Sequence, residues 1–236
     1  MILLRKRWAR REREDFSGRL VTISDPDSEA SEAYRTLRTN LIYAQIDRPV
    51  QVITITSPGP REGKSTICAN LGVVLAQANK STLLMDCDFR KPMLHHIFGI
   101  PNVRGVVDVV AGQYDMHDVW QEPLTNLRVV TAGPPPPNPA ELAESDRFAE
   151  LLSYARQSFD YVLVDASPVQ LVSDPAIIGT QGDGVLLVLD TQQTRKVAVR
   201  QSVKSLEAVG ATVLGTVMNN VEDSRRGYTY PLDYKY

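Results

Sequence analysis

Apolar residues along this chain come in short dense runs rather than in strict alternation. VQVITITS at 50–57, STLLMD at 81–86, LRVVTAG at 127–133, YVLVDAS at 161–167, GVLLVLD at 184–190 and TVLGTVMN at 212–219 are rich in β-branched and aliphatic residues. These runs predict strands. Helical spacing marks the stretches near 64–79, 139–157 and 194–208, and the segment 29–47, where Ala33, Leu37, Leu41 and Ala44 recur. Pro49 bounds that last segment, and Pro134 to Pro137 form a stiff spacer. Strands with little alternation need cover on both faces, and helices lie between most of them. The pattern predicts one α/β domain: a mostly parallel central sheet flanked by helices.

Composition narrows the function classes. The chain has 236 residues, 43% hydrophobic and 23% charged, which fits one large globular domain and excludes a fibrous or wholly disordered chain. A formal net charge of -2 does not suit a general coat for nucleic acid, and no nucleic-acid partner is expected. Cys68 and Cys87 are too few for a disulfide framework and lack zinc spacing. His95, His96 and His117 belong to no metal or nucleophile motif. The longest uncharged stretch, residues 65–79, is shorter than a membrane span, and Met1–Leu4 is too short for a secretory core. An intracellular protein is therefore expected.

Charge is unevenly spread. Arg5, Lys6, Arg7, Arg10, Arg11 and Arg13 crowd around Trp8. This reads either as a solvated arm or as a contact with an anionic membrane face or acidic partner. Four of the nine tyrosines, Tyr228, Tyr230, Tyr234 and Tyr236, fall in the polar stretch that begins at Glu222. The expected division is a basic arm at 1–28, a folded domain at 29–221 and a tyrosine-rich tail at 222–236.

The strongest local signal is SPGPREGKST, residues 57–66, placed after a strand and opening a helix. A phosphate loop needs a glycine turn that lets backbone N–H groups converge on phosphate oxygens. It also needs a lysine for the outer phosphates and a hydroxyl for Mg²⁺. Gly59, Arg61, Glu62, Gly63, Lys64, Ser65 and Thr66 are the candidate nucleotide-binding residues, and the helix N-terminus adds partial positive charge. The strict GxxxxGK[ST] template asks for glycine at 58, where this chain has Pro58. Two acidic motifs follow strands: Asp86 and Asp88 in LLMDCDFRKP, two apart and so on one side of an extended chain, and Asp165 in YVLVDASP.

The three motifs together resemble those of the bacterial protein-tyrosine kinases of capsule and exopolysaccharide export, within the ParA/MinD-like ATPases that share the phosphate-loop fold. The usual family loop reads Pro-Gly-Glu-Gly-Lys-Ser-Thr, so Arg61 stands where a glycine is common, and a position needing positive φ would strain it. The family commonly has Asp-Thr-Pro-Pro where this chain has Asp165-Ala166-Ser167-Pro168. EAYRTLRTN at 32–40 resembles the family's oligomerisation helix, with Glu32, Arg35 and Arg38 matching its pattern. Asn219 resembles an adenine-contacting asparagine, with a turn residue as the other reading. Asp174 matches a recurring family acid, with a helix cap as the other reading.

The resemblance implies an ATP-dependent protein-tyrosine autokinase that uses Mg²⁺ and regulates polysaccharide synthesis or export. Lys64, Asp86, Asp88 and Asp165 are the implied catalytic residues, with Asp86 as base and Ser65, Asp86 and Asp165 around the metal. The tail tyrosines are the implied acceptors, delivered to a neighbour in a ring-like homo-oligomer. A separate membrane adaptor of the polysaccharide co-polymerase type and a protein-tyrosine phosphatase are the implied partners. Such a protein would sit at the inner face of the membrane through its adaptor. Two rival readings remain at this level: a ParA/MinD-like ATPase switch without kinase activity, and a non-enzymatic assembly module on the same fold.

Overall fold

The computed structural model of the chain describes residues 18–43 and 50–222. The basic run around Trp8, Ala44 of the first helical segment and the four tail tyrosines lie outside the described residues. Seven strands form one sheet: β1 (Val52–Thr56), β2 (Thr82–Cys87), β3 (Gln121–Leu124), β4 (Leu127–Val130), β5 (Tyr161–Ala166), β6 (Gly184–Asp190) and β7 (Val213–Asn219). Their order is β3-β4-β2-β5-β1-β6-β7. All neighbours run parallel except β3 and β4. The six predicted strand runs are all present. β3 escapes the sequence reading because QEPL is short, polar and carries a proline, which suits an edge strand.

Helices cover both faces. α1 (Val21–Ser24), α2 (Glu29–Tyr43), α3 (Lys64–Gln77) and α4 (Leu94–Phe98) lie on one side. Leu71, Leu75, Leu94 and Ile97 pack there with Ile53, Leu84 and Leu163 of the sheet. On the other side lie α5 (Val106–Val110), α6 (Met116–Val119), α7 (Pro139–Glu144), α8 (Asp146–Ser158) and α9 (Asp174–Gln181). α10 (Lys196–Ala208) closes over the β6–β7 end through Leu206. The central strands β1 and β2 are buried at every position, which is why their sequences read as unbroken apolar runs.

Local chemistry sets the element ends. The helix expected over 139–157 is two helices, because Ser145 adopts extended backbone and its hydroxyl caps α8 by accepting from the Phe148 N–H. α8 then buries Phe148, Leu151, Leu152 and Ala155, one stripe at i, i+3, i+4, i+7. Each large side chain buried there contributes about 1.5–3 kcal/mol. Part of the stretch expected as arm belongs to the packed domain. Leu20 is fully buried, and Asn70 of α3 accepts from the Thr22 backbone and hydroxyl while donating to the Arg19 carbonyl. The reason is an apolar residue and two hydrogen-bonding groups too short in sequence to show a period.

Candidate active site

The site forms where the chain changes direction across the sheet. β1 sits centrally, β2 lies on its β5 side and β6 on the other, so a crevice opens beyond the carboxyl ends of the strands. The phosphate loop leaves β1 at that edge and runs into α3. Asp86 at the end of β2 and Asp165 near the end of β5 are register partners, both fully buried. The two motifs, 79 residues apart in sequence, are thus neighbours because their strands pair.

Lys64 opens α3 and reaches into this acidic end. Its ammonium lies 2.7 Å from Asp88 Oδ2, 3.3 Å from Asp165 Oδ1 and 3.1 Å from Ser65 Oγ. Burial works against its charge, but Asp165 and Asp88 outweigh that and hold its pKa above the ordinary lysine range. Asp88 also accepts from the Ser167 hydroxyl at 2.9 Å, and Ser167 is held by its carbonyl, which accepts from Thr56. Asp86 faces a different set of donors. Its Oδ2 accepts from the backbone N–H groups of Met93 and Leu94, and its Oδ1 from that of Asp88. Burial and the nearby Asp165 still push its carboxyl up, to about 8. Burial raises Asp165 as well, against the pull of Lys64.

The loop itself is tightly braced. Gly63 adopts φ 95°, and a side chain there would collide with Asn219, whose amide donates to the Glu62 carbonyl at 3.0 Å. Asn219 therefore meets the predicted loop directly, from the end of β7. Glu62 turns inward and accepts from the Gly59 N–H at 2.8 Å. Arg61 has φ 63°, the left-handed region that glycine tolerates and arginine does not favour. Its carbonyl accepts from Gln193, so the strained turn is tied to the segment after β6.

A cleft of about 610 Å³ opens over the loop, lined by Arg61, Gly63, Lys64, Ser65, Thr66 and Asp88 among the expected residues. Asp86 and Asp165 lie beneath this surface rather than on it. Sequence reasoning missed Arg19, Met93, Ile97, Ser167, Leu171 and Val172, which also line it. Apart from Ser167, which ends the Asp165 motif, none of them carries a motif, and only the fold brings them to one rim. Arg90, which lines the cleft, is joined by an ion pair to Asp174, 84 residues away in sequence. Asp174 is 1% exposed at the start of α9. Cys68 and Cys87 are fully buried, and burial raises both thiols far above reactivity.

The donor set suits a hard cation. Asp165 Oδ2 is buried with no hydrogen-bond partner, Ser65 offers a hydroxyl beside Lys64, and all the available atoms are oxygen. Glu32, Arg35 and Arg38 lie on α2 and do not line the cleft. Arg35 pairs with Glu32 at 2.7 Å, and Arg38 donates to the Val74 carbonyl near the end of α3 at 3.0 Å. No helix among the described residues is long and apolar enough to cross a membrane.

Comparison with known proteins agrees with this geometry. Residues 53–230 match the family model of the CobQ/CobB/MinD/ParA nucleotide binding domain. The chain is 38% identical over 226 residues to the tyrosine-protein kinase YwqD of Bacillus subtilis, covering 95% of this chain and 93% of that one. It is 34% identical over 218 residues to the tyrosine-protein kinase wzc of Salmonella typhimurium, covering 92% of this chain but 30% of that longer protein. The kinase domain of the Escherichia coli tyrosine kinase ETK superposes with a TM-score of 0.83 at 32% identity, over 89% of this chain and 84% of that one. MinD from Pyrococcus horikoshii shares the fold, with a TM-score of 0.61 at 22% identity over 75% of this chain and 72% of that one. The chain belongs to the bacterial tyrosine-protein kinases, built on the CobQ/CobB/MinD/ParA nucleotide-binding domain.

Proposed function

We propose that this protein is an ATP-dependent protein-tyrosine autokinase whose acceptors are Tyr228, Tyr230, Tyr234 and Tyr236, and that it regulates polysaccharide synthesis or export. The observation that carries this reading is the placement of Lys64 between Asp88 and Asp165 at the head of the phosphate loop. A cation for the outer phosphates and carboxylates for the acceptor side are then within one ion pair of each other.

In this reading the backbone N–H groups from Arg61 to Thr66 cradle the phosphates and Lys64 turns to the β/γ oxygens. Ser65, Asp86 and Asp165 would hold Mg²⁺, which when bound neutralises charge on the transferring group. The phenolic oxygen attacks the γ-phosphorus, the bond from that phosphorus to the bridging oxygen breaks, and ADP leaves. A phenol with pKa ~10 keeps its proton at neutral pH, so an acceptor close by and in-line alignment govern the rate. The family resemblance gives the proton to Asp86. The cleft favours Asp88 as the first acceptor, since Asp88 lines it and is released when Lys64 moves to phosphate. Asn219 orders the loop through the Glu62 carbonyl and lies on the side expected for the adenine.

The wider setting follows the same reading. α2 would dock on a neighbouring subunit in a ring, so that one subunit's tail reaches another's cleft. A membrane adaptor of the co-polymerase type would hold the ring at the inner face of the membrane, and a phosphatase would reset the tails. The arm at 1–28 would meet the anionic surface, apart from the part packed on α3.

A mixing experiment tests the core of this. A Lys64→Met chain with an intact tail is combined with a chain whose four tail tyrosines are phenylalanine, and ATP and Mg²⁺ are added. Phosphotyrosine on the Lys64→Met tail is the expected result. Release of free phosphate without phosphotyrosine, with wild-type protein alone as well, would leave an ATPase switch and overturn the kinase. Label confined to Tyr34, Tyr43, Tyr114, Tyr154 or Tyr161 would reject the tail.

A further inference from the structure

The cleft is chemically lopsided. Its floor is the phosphate loop with Lys64, Ser65 and Asp88. Its wall on the β2 and β5 side carries a cluster of apolar side chains, Met93 and Ile97 from the segment after β2 and Pro168, Leu171 and Val172 from the loop after β5, beside the charged Arg90 and Lys91. Leu171 is 62% exposed. A single exposed leucine is ordinary. This one is unusual in how firmly its loop is held.

Four fastenings hold that loop. Val169 donates its N–H to the Ser57 carbonyl at 2.9 Å, which ties the loop to the end of β1. Gln170 donates to the Ala198 carbonyl and to the Ser202 hydroxyl of α10. Leu171 closes a turn by donating to the Pro168 carbonyl at 3.1 Å. Asp174 then pairs with the Arg90 guanidinium of the segment after β2. Leu171 thus stands out from a braced loop, next to the groups that face the transferring phosphate.

We propose that Leu171, with Met93 and Pro168, forms the wall that receives the phenol ring of the acceptor, and that Leu171 thereby sets the preference for tyrosine over serine or threonine. This deepens the kinase reading and rests on it. The occupant is a tail tyrosine of a second copy. The wall lies on the Asp88 side of the loop, where the acceptor oxygen has to come, and away from Asn219. A phenol carries its hydroxyl at the far end of a flat apolar ring. It can lie along this wall while its oxygen reaches the floor; a serine hydroxyl would have to bring its backbone into the cleft instead. The rim offers a local charge partner for one tail tyrosine. Arg19, Arg61 and Lys91 line the cleft, and Asp233 stands directly before Tyr234 in the tail, while Arg225, Arg226 and Lys235 balance its three acids overall.

The test uses the full chain carrying phenylalanine at the four tail tyrosines as enzyme and the Lys64→Met chain as acceptor. Leu171→Ser and Leu171→Met are made in the enzyme. Exposure of the side chain makes both substitutions compatible with folding. Two quantities are measured: kcat/KM for the acceptor chain, and affinity for a fluorescent ATP analogue. Loss of one apolar contact with a substrate group is worth at least about tenfold in kcat/KM. The expected result is a fall of that size for Leu171→Ser, near wild-type behaviour for Leu171→Met, and unchanged nucleotide affinity in both. Unchanged acceptor kcat/KM in Leu171→Ser, or a parallel loss of nucleotide affinity that marks the wall as a base site, would overturn the proposal alone. No phosphotyrosine from the enzyme with Leu171 intact would overturn the kinase reading and this one with it.

Discussion

Asp86 and Asp165 face one another in register on paired strands, two buried carboxylates whose nearest cation, Lys64, is bonded to Asp165 and not to Asp86. Ionising both would set like charges at close quarters, so the Asp86 carboxyl keeps its proton up to about pH 8. That arrangement lowers the stability of the empty site and leaves it ready for positive charge.

Replacing Asp86 with asparagine tests the cost of that arrangement. Its folded pKa, near 8, stands above the ordinary value of 3.8, so the folded state binds the extra proton between those limits. Its contribution to stability is then greatest below about pH 4 and declines as pH rises toward 8. Asp86→Asn should flatten this decline in thermal melts of nucleotide-free protein. In the same protein, phosphoryl transfer should fall by about a hundredfold or more, because Asp86 would help hold Mg²⁺. A melting profile as steep as the wild type's would refute the shift.

Lys64→Met should abolish transfer. It also leaves Asp88 and Asp165 without their buried partner, which costs about 3–5 kcal/mol when both remain charged. Protonation of the carboxylates relieves part of that cost. The variant should therefore lose stability relative to wild type more at pH 8 than at pH 5, read as melting temperature across that range. An equal deficit at both ends would show that the lysine is not balancing the acids.

Arg61→Gly should raise the melting temperature by about 2 °C. Relief of left-handed strain, about 1–2 kcal/mol, exceeds the added freedom of glycine in the unfolded chain, about 0.4–1 kcal/mol. Affinity for ATP should fall severalfold in titration calorimetry, because the guanidinium lines the cleft beside Lys64. Unchanged affinity would make Arg61 a strained bystander.

Arg35→Ala with Arg38→Ala should reduce the mass of the assembly measured by light scattering with Mg²⁺ and nucleotide. Some loss of monomer stability is expected too, about 1 kcal/mol, since Arg38 bonds the Val74 carbonyl within the chain. An assembly of unchanged mass would leave α2 as packing alone.

The sequence by itself determined the sheet's six main strands, the phosphate loop and the three acids. Each is written locally: apolar runs for strands covered on both faces, glycines and a lysine at fixed spacing, and acids at strand ends. Family resemblance gave the activity. Tertiary structure decided which of these parts meet. The pairing of β2 with β5 brings Asp86 to Asp165, and β7 brings Asn219 onto Glu62. No local pattern encodes such distances, because strand order follows from how helices cover the sheet. The acids' separate tasks were also hidden. Two residues apart on one chain, Asp88 lines the cleft with Lys64 while Asp86 is taken up by the N–H groups of Met93 and Leu94. Arg19, Met93 and Leu171 reach the rim from stretches with no motif, since a surface assembled from distant loops leaves no period in the sequence.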